Sequence, residues 1–150
     1  MRLLFTLICF FICLSTFFAQ TPDFTGTWVL NFEKSKLESL SNGLTGVEFI
    51  IQQAGNQVKL TRYHIFGEKR NKISFRMLAD GKTRKVKVLF KGKLERKEDT
   101  LQATLWRKNF SNIVNYRFGS SQLEFIADEV FTGYPKNHHN IWVFDLKSPE

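Results

Sequence analysis

The strongest constraint on this chain is a two-residue rhythm of apolar and polar side chains, cut by turn residues at the ~8–12-residue spacing of short strands. Phe24, Gly26, Trp28, Leu30 and Phe32 share one face, and Thr25, Thr27, Val29 and Asn31 take the other. Val47, Phe49 and Ile51 repeat the pattern, and Gly55-Asn56 supplies a turn. Val58, Leu60, Arg62, His64 and Phe66 then share an inward face, which Gly67 ends. Ile73, Phe75 and Met77 follow, closed by Asp80-Gly81, a pair suited to hairpin turns because both positions accept positive φ. Val86, Val88 and Phe90 form the next apolar face, with Lys85, Lys87 and Lys91 pointing outward. Leu101, Ala103 and Leu105 come next. In 113–118 either Val114, Tyr116 and Phe118 or Ile113, Asn115 and Arg117 face inward. Gly119-Ser120-Ser121 turns into Leu123, Phe125 and Ala127, and 141–146 closes the series after a polar loop.

One interruption differs. Residues 33–41 read EKSKLESLS, with helix formers and no β-branched residue, so one short helix is expected after the first strand, ended by Asn42-Gly43. The rest predicts an all-β fold of about 8–10 strands joined by short connections. Sequential strands usually pair, so an antiparallel up-and-down β-barrel is the simplest topology, and closure removes exposed edges. A barrel of that size has room for one small ligand. A sandwich with a filled core is the alternative.

The N-terminus is of another kind. Arg2 precedes an almost wholly apolar run from Leu3 to Phe18, and Ala19 offers a small residue before Gln20. The run is shorter than the ~20 residues of a spanning helix. Residues 1–19 are therefore expected to be a signal peptide, with no transmembrane anchor after cleavage, and 20–150 a single exported domain, periplasmic or secreted. Cys9 and Cys13 both fall inside the leader, so the domain itself carries no thiol for a disulfide or a metal. The chain has 22 basic and 14 acidic residues, and the excess is concentrated in Lys82, Arg84, Lys85, Lys87, Lys91, Lys93, Arg96 and Lys97, opposed only by Glu95. For an exported protein this ribbon suits an anionic lipid, glycan or protein rather than nucleic acid. The plainer reading, and the favoured one, is a solvated sheet face that lysine keeps soluble and non-aggregating.

Phe24-Thr25-Gly26-Thr27-Trp28-Val29-Leu30-Asn31, followed by Glu33-Lys34-Ser35, resembles the opening of the calycin superfamily, which joins lipocalins and fatty-acid-binding proteins around a Gly-x-Trp first strand. It is especially similar to small exported bacterial lipocalin-like domains. The resemblance implies a lipocalin-like barrel in which Gly26 lets the first strand coil and Trp28 plugs one end. Several family features are missing. Thr132-Gly133-Tyr134 is the nearest approach to the lipocalin Thr-Asp-Tyr, and Phe144-Asp145-Leu146-Lys147 carries lysine where lipocalins place an arginine. The gap from Phe32 to Val47 is too short for the two helices of fatty-acid-binding proteins, and their Arg-x-Tyr clamp is absent.

Arg62 and His64 are the candidate binding pair. Two polar groups on an inward face suggest a cavity, since unpaired buried charge is costly. Such an arginine can hold a carboxylate or phosphate bidentately. The alternative is a strand end that leaves the barrel. Tyr116 is a candidate for the same cluster, or a core aromatic. Phe49, Leu60, Phe75, Met77 and Phe90 are expected to line or fill the interior. No catalytic constellation or cofactor motif stands out: Asp128 and Glu129 point to opposite faces, Ser120-Ser121 lacks a nucleophile elbow, His138-His139 lacks a third metal ligand, and no glycine-rich phosphate loop occurs. Asn109-Phe110-Ser111 is a glycosylation sequon relevant only to a eukaryotic secretory route. The first expectation is thus a non-enzymatic barrel binding a small apolar or amphipathic ligand. The second is an interaction module in which Lys85, Lys87, Lys91 and Lys93 contact an anionic surface.

Overall fold

The computed structural model describes residues 22–148, so the expected signal peptide lies outside the described residues. The strands are β1 (Gly26–Leu30), β2 (Lys36–Leu37), β3 (Gly46–Ala54), β4 (Gln57–Phe66), β5 (Lys69–Leu78), β6 (Arg84–Lys87), β7 (Phe90–Lys97), β8 (Thr100–Arg107), β9 (Phe110–Phe118), β10 (Glu124–Gly133) and β11 (His138–Leu146). They form one sheet in the order β5-β4-β3-β1-β11-β10-β9-β8-β7-β6, with β2 attached to β11. This is an antiparallel meander whose first and last long strands meet: Trp28 lies opposite Leu146 and Leu30 opposite Phe144. At the other seam an isolated Asp80–Glu95 bridge and a 2.9 Å bond from the Gly81 amide to the Leu94 carbonyl draw β5 toward β7. Above that bridge β5 and β6 share no ladder. The result is the expected all-β barrel, nearly closed.

No helix follows β1. Residues 32–34 turn, and β2 pairs with Asn140 and Ile141 of β11. A nine-residue helix is marginal alone, and here β11 offers better partners. The Ser35 hydroxyl donates to the Asn31 carbonyl at 2.6 Å and accepts from the Val143 amide at 2.9 Å. The Asn140 side chain, 1% exposed, accepts from the Ser39 amide at 3.1 Å and donates to its carbonyl at 3.0 Å.

The basic ribbon also differs from expectation. Val86, Val88 and Phe90 do not share one strand: residues 84–97 form a hairpin, β6 and β7, turning at the exposed Val88-Leu89 without any glycine, proline or asparagine to announce it. An irregularity between Lys85 and Lys87 shifts the register. Lys87 therefore does not point outward: it lies 5.3 Å over the Phe75 ring, on the inner face. Lys85 and Lys91 remain exposed opposite each other, and Lys93 is tied to Glu95 at 3.0 Å.

One end of the barrel, called the base, is packed with rings. Phe125 has ring centroids within 5.3 Å of Trp28 and 5.6 Å of Phe24, Phe49 and Tyr116. Phe118 lies 4.7 Å from Phe24. The buried Trp28 indole donates to the Phe24 carbonyl at 3.0 Å, which satisfies its polar atom. At Gly26 a Cβ would stand 3.1 Å from Leu146 and 3.3 Å from the Trp28 indole nitrogen, so a side chain would disturb this plug. Tyr116 is buried and Ile113 and Arg117 are exposed, which resolves the open register: Val114, Tyr116 and Phe118 face inward.

Candidate functional site

Above the aromatic base the inner wall becomes polar in one place. Arg62 on β4 sits between Phe49 of β3 and Ile73 of β5, both inward. Its guanidinium carbon lies 4.3 Å over the Trp142 ring, a cation–π stack across the barrel. The Trp142 indole donates to Glu129 Oε2 at 2.6 Å, and the Asn112 amide donates to Glu129 Oε1 at 2.9 Å. Glu129 is 7% exposed. Burial works to raise its pKa, but the Arg62 charge and the donated hydrogen bonds outweigh it, so the carboxyl stays below its ordinary range and ionised.

Arg62 is left with unused capacity. Its Nε and Nη2 are buried and have no hydrogen-bond partner among the described residues, and neither does Asn112 Oδ1. Nε and Nη2 form one edge of the guanidinium fork, with parallel N–H bonds suited to two oxygens of a carboxylate or phosphate. Burial and the nearby Arg62 charge push the His64 pKa down to about 4, Glu129 opposing, so the ring is neutral at pH 7. Burial raises the Tyr116 hydroxyl well above its ordinary value. His64 and Tyr116 thus each lie within reach of the Arg62 and Glu129 charges.

The structure places the other candidate residues unevenly. Phe49, Leu60 and Met77 are buried in the core. Phe75 and Phe90 are half-buried on the inner wall farther from the base. There a ladder of rings runs from Phe90 to Phe110 (5.5 Å), Phe131 (5.2 Å) and His138 (4.7 Å). All four are half-buried, in contrast to the buried Phe24, Trp28, Phe49 and Phe125 of the base. His139 faces out and meets Asp128 at 2.7 Å, so the adjacent histidines diverge. Among the described residues no cluster of three or more His, Cys, Asp or Glu is arranged to hold a metal ion. A groove of about 610 Å3 runs along the outer wall by Thr104, Trp106 and Thr132, away from Arg62.

Sequence reasoning missed Glu129, Trp142, Asn112 and Asn140. The signal for Glu129 was present: strict alternation from Phe125 through Ala127 puts it on the inward face of β10.

No protein-family model matches the chain, and no match is found among the curated proteins. Solved structures do match in shape. Fatty-acid-binding protein 1 of Echinococcus granulosus superposes with a TM-score of 0.59 at 13% identity, covering 83% of this chain and 98% of that one. A secretory abundant heat soluble protein from Ramazzottius varieornatus gives 0.58 at 12% identity, covering 85% and 98%. Zebrafish ileal bile acid-binding protein, solved with cholic acid, gives 0.55 at 12% identity, covering 83% and 98%. The chain therefore has a calycin-type fold. Here β2 stands where a helix was expected.

Proposed function

We propose that this protein is a non-enzymatic carrier that holds one small amphipathic molecule in its barrel, the apolar body against the inner wall and an anionic two-oxygen head on Arg62. The observation that carries this reading is the buried, unpartnered Nε–Nη2 edge of Arg62, stacked on Trp142. Leaving such donors unmet costs about 1–3 kcal/mol each, a cost that a bound carboxylate or phosphate would remove. Neighbours of the same shape include proteins named for fatty-acid and bile-acid binding, which fits this chemistry. Phe75, Met77, Phe90, Phe110 and Phe131 supply apolar wall. Gly26 and Trp28 close the base, and His64 and Tyr116 stay neutral beside the head group. The same reading takes residues 1–19 as an export signal and 20–150 as one domain acting in the periplasm or outside the cell.

The test has two parts. Residues 20–150, purified gently, are compared by native and denaturing mass spectrometry for a bound small molecule. A long-chain fatty acid and the alcohol of equal length are then titrated against a fluorescent probe. The acid is expected to bind about tenfold or more tighter, with the preference erased in Arg62→Met. Equal affinity for acid and alcohol in the native protein would refute the head-group assignment.

A further inference from the structure

In a meander, alternate connections fall at the same end. The β6–β7, β8–β9 and β10–β11 turns therefore all lie at the rim, opposite the Trp28 base. They also adjoin. Leu89 shares a groove with Arg107, Lys108 and Asn109. The Asn109 carbonyl oxygen lies only 2.5 Å from where a Cβ on Gly133 would stand.

This rim combines two unusual features. Its tips expose large apolar side chains: Val88 is 82% exposed, Leu89 68% and Tyr134 85%. They are ringed by the exposed cations Lys85, Lys91, Arg107, Lys108 and Lys136, with Lys87 on the inner side of the same turn, and no aspartate or glutamate falls within 85–91, 106–110 or 132–138. Among the described residues none of these six cations has a salt bridge, whereas at the base of the same hairpins Arg84 is held by Asp80 (2.6 Å) and Lys97 by Glu95 (3.3 Å). Uncompensated charge and unpacked apolar tips are thus gathered on one rim.

We propose that this rim docks on the surface of an anionic lipid bilayer. Val88, Leu89 and Tyr134 enter the boundary between head groups and acyl chains, and the surrounding Lys85, Lys91, Arg107, Lys108 and Lys136 meet lipid phosphates. A basic ring around apolar anchors is the arrangement that an anionic interface rewards on both counts, and tyrosine favours that depth. A soluble polyanion would use the charges and leave the apolar tips in water, so the bilayer accounts for more of what the rim presents. Just inside it begins the ladder of Phe90, Phe110, Phe131 and His138, in which Phe110 and Phe131 stand one inward position along their strands from Asn112 and Glu129 of the Arg62 cluster. Only this last step, exchange of the cargo with the bilayer, rests on the carrier reading; the docking does not.

The experiment is vesicle flotation of residues 20–150, which contain every described strand, with phosphatidylcholine alone and with phosphatidylcholine containing phosphatidylglycerol. The expected result is binding only to the mixed vesicles, weakened about tenfold or more by Val88→Asp with Leu89→Asp, and about a hundredfold by reversing Lys85, Lys91 and Lys108 to Glu. Val88 and Leu89 are exposed, and circular dichroism of each variant verifies folding. Fatty-acid probe displacement is measured on the same variants and is expected to be unchanged, so a failed carrier reading and a failed docking surface give different results. Equal binding to both vesicle types would overturn the proposal. So would full retention by the Val88→Asp, Leu89→Asp variant together with complete competition by heparin, which would assign the rim to a soluble polyanion instead.

Discussion

If Arg62 is kept for a ligand, the empty barrel should be more stable without it. Consider Arg62→Met with Glu129→Gln. The double change removes both interior charges, so neither is stranded. The site can absorb the glutamine: its carbonyl still accepts from Trp142, and its amide can donate to Asn112 Oδ1, which has no partner among the described residues, once the Asn112 amide turns. Methionine fills similar length with a flexible apolar chain. Two unmet guanidinium donors cost about 1–3 kcal/mol each. Against this stands the lost stack on Trp142, about 0.5–2 kcal/mol. The net expectation is a stabilisation of up to about 5 kcal/mol, read as an increased urea midpoint at unchanged slope by tryptophan fluorescence, on protein first stripped of any bound lipid. The same variant should lose its preference for acid over alcohol. Destabilisation by more than ~1 kcal/mol would show that Arg62 and Glu129 serve the fold itself, and the carrier argument would lose its main support.

Three further outcomes follow from the geometry. His64 has a folded pKa of about 4 against an ordinary 6.5, so the unfolded chain binds the proton more tightly; stability should fall as pH drops from about 6.5 to 4 and level off below, by ~1–2 kcal/mol after discounting for partial exposure, and His64→Gln should flatten that slope in urea melts at stepped pH. Glu129, lowered, adds its own loss only below the ordinary carboxylate range, so Glu129→Gln should alter a more acidic part of the profile. Phe125→Ala removes a ring that contacts Trp28, Phe24, Phe49, Tyr116 and Phe144 and should cost about 3–5 kcal/mol by chemical denaturation. Gly133→Ala would place a Cβ 2.5 Å from the Asn109 carbonyl and 2.9 Å from the Phe110 Cα, at φ 138°, and should cost about 1–3 kcal/mol while separating two rim hairpins; a thermal melt matching the parent would contradict the close approach.

The sequence was informative where one residue's neighbours decide its state. Alternation at 24–32, 47–51, 58–66 and 73–77 reports directly on which side of a sheet each residue faces, and glycine turns at 55, 67 and 81 mark reversals because positive φ is local. Those signals were enough for an antiparallel meander, with a closed barrel as its simplest topology, and for Arg62 and His64 on an inward face; Trp28 in the base was implied only by the resemblance of the first strand. They failed at Val88-Leu89, a turn with no turn residue, and so also at Lys87, whose face depends on an irregularity that alternation cannot register. They failed at 33–41, where helix propensity is real but the buried Asn140 amide, about a hundred residues away, provides the competing bonds.

What the sequence determined by itself was periodicity, and through it a meander of strands with an apolar inside. What only the tertiary structure decided was which polar groups meet. Arg62, Asn112, Glu129 and Trp142 come from four strands, and closure of the sheet around β1 and β11 is what sets them across one interior. Hydrophobic patterning is a one-dimensional code because burial depends on each residue's own face, whereas a binding site is a set of distances between strands, and those exist only once the wall has curled round on itself.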